Sequence, residues 1–394
     1  MKSVTLKKGR EASLQRRHPW IFSGAIDRVS GEPEPGDTVK VFSASGEVLG
    51  VGGYSPRSQL RVRMYAFQDV EFDAQFQAEL VQRAVAKRQD LVANTQRSAY
   101  RLVYGEADSL PGLVVDRYND YLVCQFLFAG VDRHKETLVQ ALLDASGCEH
   151  AWERSDSSVR EKEGLAAHSG VLAGVEPTDA IEVQQQGLVM AVNLRGGHKT
   201  GLYLDQVENH LMVGSRCEGK SVLNCFAYTG GFTLHALRAG ASAVTSVDVS
   251  APALTMASAN VARNGLDESR HETVQGNAFD VLRQFQQQQR LFDVVILDPP
   301  KFAENRKQVM KAARAYKDLA MQGAKLLTPG GLLVNFSCSG AIDLNLFQKI
   351  TADALVDAGR SGCVIQYLHQ PGDHPVALNF PESQYLKGLV SRID

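Results

Sequence analysis

The sequence predicts an α/β protein in which a small strand-rich segment precedes a larger segment of alternating strands and helices. Two observations predict the alternating part: apolar runs such as residues 294–297 are typical of buried parallel strands, and stretches with helical spacing separate them. A third observation predicts the small part, since residues 1–70 contain short β-like runs interrupted by glycine and proline. The chain has 394 residues, enough for two or three domains with a sizeable core.

These patterns divide the chain into three predicted segments. Residues 1–70 suggest a small β-barrel. Residues 71–190 begin with a linker helix and continue as a small α+β domain, with a hairpin that turns at Asn119–Asp120 and one helix around residues 131–146. Residues 191–394 are the alternating β/α domain, and sheets of this kind hold their ligands at the carboxyl ends of the strands.

The predicted strand at residues 294–297 stops at an acid followed by two prolines. Neither Pro299 nor Pro300 can donate to a strand ladder, and Pro300 biases Pro299 away from the helical region. Asp298 is therefore expected at the carboxyl end of a strand, and together with Phe302 it suits a flat polar base. The alternative is an Asp-Pro-Pro turn that only ends the strand.

A glycine turn follows an earlier predicted strand. The apolar start of that strand leads into Thr229, Gly230 and Gly231, where the main chain can approach a ligand as a helix begins. The next strand ends in Asp248, 17 residues beyond Gly231, which is placed to accept hydrogen bonds from a ribose diol. The turn lacks the glycine spacing that binds a dinucleotide pyrophosphate, so the pattern favours a nucleoside without phosphates, such as S-adenosylmethionine. Asp248 as a plain helix N-cap is the alternative.

Two further strand ends complete the series. A third predicted strand precedes Asn277, which is placed to meet an adenine amino group, while Ala278 or Phe279 would meet the face of the adenine. A later strand ends at Cys338, on the same rim as Asp298. A free cysteine is usually an inert small hydrophobe, and this is the interpretation for the five other cysteines. The position of Cys338 instead predicts a nucleophile.

Composition argues against two classes of protein. Hydrophobic residues make up 44% of the chain, but no uninterrupted apolar run approaches the 18 or so residues of a membrane span. The start of the sequence lacks the apolar segment of a secretory signal. The six scattered cysteines fit a reducing compartment and argue against a disulfide framework or a zinc site. We therefore expect a cytoplasmic protein without a metal centre or a membrane association.

Positive charge is concentrated near the start of a chain whose net charge is −2. Residues 2–17 contain six lysines and arginines against the single acid Glu11, and Arg57, Arg61 and Arg63 follow on one β-like segment. Such clusters can neutralise nucleic-acid phosphates while acids elsewhere keep the net charge low. A solvated basic surface without this function is the alternative.

These motifs resemble the RlmI group of 23S ribosomal RNA cytosine-C5 methyltransferases. The similarity covers essentially the whole chain and includes residues 8–10 and 18–24 near the start, 105–113 in the middle and 197–206 before the alternating domain. It implies a Rossmann-like class I methyltransferase domain, S-adenosylmethionine as the cofactor and 23S ribosomal RNA as the partner. It also implies that residues 1–70 are a PUA domain, which is an RNA-binding module.

The resemblance further implies the roles of individual residues. The catalytic residues would be Cys338 and Asp298. The implied contacts for the methyl donor are Lys199, Gln206, Asn224, Phe226, Thr229, Gly230, Gly231, Asp248, Asn277 and Ala278. The implied contacts for the substrate are Pro299, Pro300, Lys301 and Phe302. Related enzymes carry a second cysteine after the Asp-Pro motif, whereas this chain has Pro300 and Lys301, so a cysteine that assists product release is not available there.

The expected reaction is methylation of C5 of a specific cytosine. The thiolate of Cys338 would add to C6 and Asp298 would hydrogen-bond to the base, which must first be unstacked. One alternative is a methyltransferase for an exocyclic amine or for guanine N7, which would share the Asp-Pro-Pro motif without needing Cys338. Another is a non-catalytic RNA-binding factor in ribosome assembly.

Overall fold

The structure is a computed structural model that describes residues 1–93 and 95–394. These residues form two compact units, each built from several stretches of the chain. The first unit consists of Met1–Gln185, Val192–Leu204 and Gly372–Ser383. The second unit consists of Gln186–Ala191, Asp205–Pro371 and Gln384–Asp394. The predicted segment boundaries at residues 70 and 190 describe sequence pattern rather than contacts, and they stay predictions.

Six strands at the start of the first unit form one sheet over an apolar interior. The strands are β1 (Ser3–Leu6), β2 (Trp20–Phe22), β3 (Ile26–Ser30), β4 (Thr38–Phe42), β5 (Val48–Tyr54) and β6 (Leu60–Ala66), and the short helix α1 (Ala12–Gln15) follows β1. Their order in the sheet is β2-β6-β5-β4-β1-β3. Alternate residues such as Val39 and Val41 are fully buried, as expected for strands with one apolar face. The prediction of a strand-rich unit at the start of the chain is confirmed.

The remainder of the first unit contains a five-stranded sheet and four helices. The strands are β7 (Ala99–Tyr104), β8 (Leu113–Tyr118), β9 (Tyr121–Phe126), β10 (His150–Ser155) and β11 (His168–Ala173), in the sheet order β11-β10-β9-β8-β7. The helices are α2 (Ala74–Ala93), α3 (Ala129–Arg133), α4 (Lys135–Ser146) and α5 (Val159–Glu163). Tyr118 pairs with Tyr121, which confirms the predicted hairpin at Asn119–Asp120. The strands β12 (Ile181–Gln185) and β13 (Leu188–Val192) follow in the chain.

The expectation of a single helix between β9 and β10, and of no other helix in this α+β segment, is wrong. Helix α3 ends before His134, whose φ of −98° and ψ of 17° leave the helical region, and α4 begins directly after it. Helix α5 has only five residues. A helix of less than two turns is too short to produce a recognisable apolar period, so the sequence shows one helical pattern where three helices form.

Seven strands of the second unit form one sheet. They are β14 (Ser221–Cys225), β15 (Ala243–Asp248), β16 (His271–Gln275), β17 (Phe292–Leu297), β18 (Leu327–Ser337), β19 (Gly362–His369) and β20 (Lys387–Ile393). Their order is β16-β15-β14-β17-β18-β20-β19, and β20 runs in the direction opposite to the other six strands. The helices are α6 (Val207–Gly214), α7 (Gly231–Arg238), α8 (Ala251–Arg263), α9 (Ala278–Gln287), α10 (Val309–Lys325) and α11 (Leu344–Asp357). The predicted alternating β/α domain and the α/β fold class are confirmed.

Burial explains why the apolar runs became central strands of this sheet. Val294, Val295 and Ile296 of β17 are all 0% exposed, because the strand is covered on both faces. The parallel strands β16, β15, β14, β17 and β18 end at a common edge, which we call the carboxyl edge and define as their last residues with the turns that follow.

Within residues 1–93 and 95–394, no helix combines the length and apolar character needed to cross a lipid bilayer.

Candidate active site

The glycine turn after β14 brings the backbone into an unusual conformation. Phe226 and Tyr228 both have positive φ angles, of 63° and 48°, and Gly230 follows with a φ of 91° as the N-cap of α7. Left-handed backbone is uncommon for aromatic residues and tends to accumulate at functional sites, where surrounding contacts compensate its cost. The turn therefore contains two non-glycine residues in the left-handed region.

The close packing behind Gly231 shows why this position lacks a side chain. A Cβ atom added to Gly231 would lie 2.2 Å from Cε1 of His210. His210 in α6 is half-buried, and its removal from water lowers its pKa to about 3, so the imidazole is neutral near pH 7. The carbonyl of Thr229 is held from the other side by Nδ2 of Asn260, at 3.1 Å. The turn thus lies between two neutral groups, the imidazole of His210 and the buried amide of Asn260.

Asp248 lies at the end of β15, next to this turn. Its Oδ2 accepts the backbone N–H of Tyr228 at 2.9 Å, and its Oδ1 accepts the backbone N–H of Ser250 at 2.9 Å. The N-cap of α8 is Ser250, whose Oγ accepts the N–H of Ala253. Asp248 is therefore not the helix cap that was its alternative interpretation. Each carboxylate oxygen keeps a lone pair, which a ribose diol could use.

Several of the predicted donor contacts lie inside the second unit rather than on its surface. The side chain of Asn224 is fully buried, and its Nδ2 donates to Oγ1 of Thr233 at 3.0 Å beneath the glycine turn. Ala278 is the first residue of α9 and is 3% exposed in the apolar core. Phe226 is half-buried and packs against the same core. These three residues shape the turns, and direct contact of their side chains with a ligand stays a prediction.

Asn277 is exposed at the start of α9. Its Oδ1 caps the helix by accepting the N–H of Phe279 at 3.0 Å, and the ring of Phe279 is half-buried, 6.3 Å from that of Phe302. The arrangement places an amide and an aromatic face together at the carboxyl edge. Both are suitable for recognising an adenine, because the amide can hydrogen-bond to the amino group and the ring can pack on the base.

Gln206 carries a polar atom whose partner is not supplied by the described residues. The side chain is 2% exposed, and its Oε1 accepts Nδ2 of Asn209 at 2.6 Å. Its Nε2 has no hydrogen-bond partner in the described part of the chain. A buried N–H without a partner is costly, so this amide is suited to donate to a polar ligand. Lys199 belongs to the first unit, where its ammonium lies 4.3 Å from the ring centroid of Tyr203.

The segment after β17 forms what we call the lip, defined as residues 298–302. Asp298 is half-buried at the end of the strand, and Pro299 is buried whereas Pro300 and Lys301 are exposed. The ring of Phe302 is half-buried and lies 4.8 Å from that of Tyr316. The lip is therefore anchored at its two ends, with its middle open to solvent.

Cys338 is the first residue after β18. In the parallel pair β17–β18, Leu297 lies opposite Asn335, so Asp298 and Cys338 both leave the sheet at the carboxyl edge of neighbouring strands. Cys338 is half-buried. Its position and partial exposure are those expected of a reactive cysteine.

The other cysteines differ from Cys338 in burial or position. Burial raises the pKa of Cys148, Cys124 and Cys225, and it raises that of Cys217 to about 12, so these four thiols stay protonated near pH 7. Cys363 is exposed, but it lies near the start of β19 rather than at a strand end. The structure therefore distinguishes Cys338 from the rest.

A basic surface with a neighbouring cavity occupies the start of the first unit. Lys7, Lys8, Arg10, Arg16 and Arg17 are all exposed. A cavity of about 430 Å³ lies beside them and is lined by Gly9, Arg10, Ala12, Ser13, Leu14, Trp20, Ile21, Phe22, Gly24 and Ala25. Charged side chains beside the exposed ring of Phe22 suit a nucleic acid, because the cations can neutralise phosphates and the ring can stack on a base.

The interpretation of Arg63 as part of this basic surface is wrong. Arg63 is 8% exposed, and its guanidinium donates to Glu163 at 2.9 Å and lies 3.6 Å from Glu106. A buried ion pair of this kind leaves no charge for a phosphate. Arg61 is partly buried, and its guanidinium donates to the carbonyl of Pro56. Alternation along β6 was a correct basis for placing Arg61 and Arg63 on one face, but that face is turned toward protein.

One group of potential metal ligands occurs among the described residues. Asp120, Glu149 and His150 offer ligand atoms within 4.8 Å of one another in the first unit. Oδ1 of Asp120 already accepts the backbone N–H of Glu149 at 3.1 Å. Acidic turns of this kind are common without an ion, and the expectation of no metal centre stays a prediction.

Two protein families match different parts of this chain. Residues 4–67 match the family described as PUA-like domain, and residues 137–377 match the family described as S-adenosylmethionine-dependent methyltransferase. The chain is 48% identical over 393 residues to Ribosomal RNA large subunit methyltransferase I of Shewanella denitrificans, with 99% of each chain covered. A relative with the same name from Tolumonas auensis is 46% identical over 392 residues, again with 99% of each chain covered. The chain belongs to the ribosomal RNA large subunit methyltransferase I family.

Membership of this family identifies the cofactor as S-adenosylmethionine. Two solved structures share the fold over 100% of both chains. A protein from Streptococcus mutans described as a SAM-dependent methyltransferase has a TM-score of 0.86 at 23% identity. The protein SMU.776, described as a methyltransferase and solved in complex with SAH, has a TM-score of 0.87 at 24% identity. The predicted Rossmann-like methyltransferase fold with a PUA-like domain at its start is confirmed.

Two residues at the site of this family member were not predicted from the sequence. Ser339 lies one position after Cys338; its Oγ accepts the N–H of Ala303 at 3.2 Å and lies 3.0 Å from the hydroxyl of Tyr316. Lys387 begins β20, and its ammonium donates to the carbonyls of Ser339 and Ile342. No local motif marks either residue, because their partners are distant in sequence.

Proposed function

We propose that the chain methylates C5 of a cytosine in 23S ribosomal RNA of the large ribosomal subunit, through a covalent bond between Cys338 and C6. The observation that carries this proposal is the placement of Cys338 and Asp298 on neighbouring strand ends of a methyltransferase domain. An enzyme that methylates an amine or guanine N7 has no need of a thiol there. The name shared by the relatives of this chain supports ribosomal RNA as the substrate.

Residues of the second unit fit S-adenosylmethionine. Gln206 has a buried N–H without a partner among the described residues, Gly230 and Gly231 leave the backbone of their turn without side chains, and Asp248 keeps lone pairs beside that turn. We propose that the donor is held by Lys199, Gln206, Asn224, Phe226, Thr229, Gly230, Gly231, Asp248, Asn277 and Ala278. When bound, the cofactor supplies an electrophilic methyl group.

The chemistry assigned to the chain follows from the weak reactivity of cytosine C5. Addition of the Cys338 thiolate to C6 breaks the aromatic system and makes C5 nucleophilic enough to accept a methyl group. A protonated Asp298, or one that shares a proton with the edge of the base, would hydrogen-bond to N3 and offset the charge that develops in the ring. Transfer of the C5 proton to a base or to water then lets the carbon–sulfur bond break and returns the thiolate. The lip, with Pro299, Pro300, Lys301 and Phe302, would hold the unstacked base.

We further propose that the three predicted segments of the chain have different functions. Residues 1–70 would bind RNA through the exposed cations near the start of the chain. Residues 71–190 would link this segment to residues 191–394, which would transfer the methyl group. Such a role in ribosomal RNA modification would be carried out in the cytoplasm. Phosphate neutralisation by lysine and arginine makes RNA affinity fall as salt rises, which gives this assignment a measurable signature.

The experiment that tests the proposal uses large-subunit ribosomal RNA containing 5-fluorocytidine. Fluorine at C5 cannot leave as a proton does, so a C6 adduct would be trapped as a covalent protein–RNA complex. We expect a donor-dependent complex that resists denaturing gels, and peptide mapping that places the bond at Cys338. Methylation without any trapped complex would favour amine or N7 chemistry. RNA binding with neither methylation nor trapping would indicate an assembly factor.

A further inference from the structure

Lys387 is buried directly behind the turn that carries the candidate nucleophile. It is the first residue of β20 and lies opposite Ser337, the residue before Cys338. The side chain is 8% exposed, and Nζ donates to the carbonyl of Ser339 at 2.7 Å and to that of Ile342 at 2.6 Å. One ammonium therefore bridges the start and the end of the segment that we call the Cys338 turn, residues 338–342.

Three charged groups act on the ammonium of Lys387, namely Cys338, Asp343 and Lys301. Burial lowers the pKa of Lys387 to about 8, the charge of a Cys338 thiolate and that of Asp343 raise it, and the ammonium of Lys301 lowers it. Tyr316 also senses the charge of Cys338, and burial raises its pKa, so its phenol is neutral. Lys387 is thus an ammonium at neutral pH and lies within electrostatic range of the thiol.

We propose that Lys387 is a positioning residue for Cys338, whose ammonium fixes the Cys338 turn and supplies the positive charge that favours the thiolate. The inference rests on the proposed function only for the role of that thiolate in methyl transfer. The ammonium itself transfers no proton, because two carbonyls hold it in place. A positive charge near a thiol lowers the pKa of the thiol and increases its reactive fraction near pH 7.

The test measures how fast iodoacetamide alkylates Cys338 as a function of pH, with the full-length protein and mass spectrometry of the modified peptides. Exposed Cys363 in the same molecule is the internal reference. In the unaltered protein we expect the midpoint of alkylation at Cys338 to lie below that at Cys363. A midpoint equal to or above the Cys363 value would overturn the proposal without any variant.

Substitution separates charge from packing. Lys387→Met should raise the Cys338 midpoint by about one pH unit, which slows alkylation near pH 7 about tenfold, whereas Lys387→Arg should keep most of the effect. The exposed-residue control Lys349→Met should change neither cysteine. An unchanged Cys338 midpoint in folded Lys387→Met would contradict the proposal, and so would an equal shift at Cys363.

Methyl transfer gives the second readout. Single-turnover methylation by Lys387→Met should fall about tenfold near pH 7 and recover toward the unaltered rate at higher pH, where the thiol ionises without help. A loss that is equal at every pH would indicate a purely structural role. If Cys338→Ala still methylates RNA, the proposed function fails, but the alkylation result still decides whether Lys387 acts on the thiol.

Discussion

The backbone N–H of Ala303 donates to Oγ of Ser339 at 3.2 Å, and this bond connects the residue directly after the lip to the Cys338 turn. The same hydroxyl lies 3.0 Å from the hydroxyl of Tyr316, in a fully buried position. The segment proposed to hold the base and the segment proposed to attack it are therefore fixed to each other. A displacement of one should disturb the other.

Ser339→Ala should slow methyl transfer while leaving donor affinity nearly unchanged. The loss of a buried hydroxyl with two partners costs about 1–2 kcal/mol, and if that cost appears in the transition state the rate falls about fivefold to thirtyfold. Single-turnover methylation and titration calorimetry with the donor would measure the two effects. Ser242→Ala, on the exposed loop before β15, is the matched control and should change neither.

Asp248→Ala should weaken binding of S-adenosylmethionine about tenfold to a hundredfold, because a hydrogen bond to a charged group contributes about 1.5–3 kcal/mol. Calorimetry on the folded variant gives the affinity. Ser250→Ala removes only the cap of α8 and serves as the control. Equal, small losses in both variants would show that Asp248 acts on the fold of the turn rather than on the donor.

Cys338→Ala should abolish methyl transfer and covalent trapping, yet keep binding of donor and RNA, because only the bond to C6 requires sulfur. Cys363→Ala should behave as the unaltered protein, since that thiol is exposed on β19. Cys225→Ala should cost stability, because Cys225 is fully buried in the core of the second unit. Single-turnover assays with labelled donor distinguish the three variants. Clear methylated product from Cys338→Ala would refute a covalent bond between Cys338 and C6.

Stability of the second unit should fall as the pH decreases below about 6.5. Burial lowers the pKa of His210 to about 3, and burial together with the nearby His210 and Arg238 lowers that of His235 to about 2. The unfolded chain then binds protons that the folded chain does not, so stability is complete above about pH 6.5 and each histidine costs about 1.4 kcal/mol per pH unit well below it. Urea unfolding between pH 7 and 5 measures the slope.

His210→Gln should reduce that slope relative to the unaltered protein, because one of the two histidines no longer takes up a proton on unfolding. His369→Gln provides the control, since His369 is exposed on the same unit. Identical slopes in all three proteins would show that the imidazole of His210 does not govern acid sensitivity.

Replacing Lys7 and Lys8 with glutamine should weaken RNA binding and reduce its dependence on salt. Each phosphate contact that is lost should lower the slope of log affinity against log salt by about 0.7–0.9. The double variant Lys325→Gln with Lys349→Gln removes the same charge from exposed positions of the second unit. If both double variants lower the salt slope equally, the basic surface of the first unit has no special role.

The parts of the site that could be predicted from sequence are those encoded locally. Asp298 follows an uninterrupted apolar run and precedes two prolines, and Cys338 follows a largely apolar run, so these runs alone place both residues at strand ends. Lys387 could not be predicted in this way. Its partners are carbonyls 45 and 48 residues earlier in the chain, and a carbonyl carries no sequence signature.

Long-range pairing also explains the error at Arg63. Its charge is visible in the sequence, but its partner Glu163 is 100 residues away. Alternation along a strand shows which residues share a face, and it does not show whether that face meets water or another part of the protein. Burial of charge is therefore the property that pattern reasoning predicts least well.

The position of β20 has a consequence for the order in which the chain folds. β20 lies between β18 and β19 although β19 precedes it in sequence, and in the described part of the chain β19 pairs with β20 alone. β19 cannot join the sheet before β20 inserts, and pairings of this long range form slowly. Because Lys387 arrives with β20, a folding intermediate would carry a Cys338 thiol of ordinary reactivity. If Lys387 activates Cys338, the thiol therefore gains its positive partner only once β20 has paired with β18.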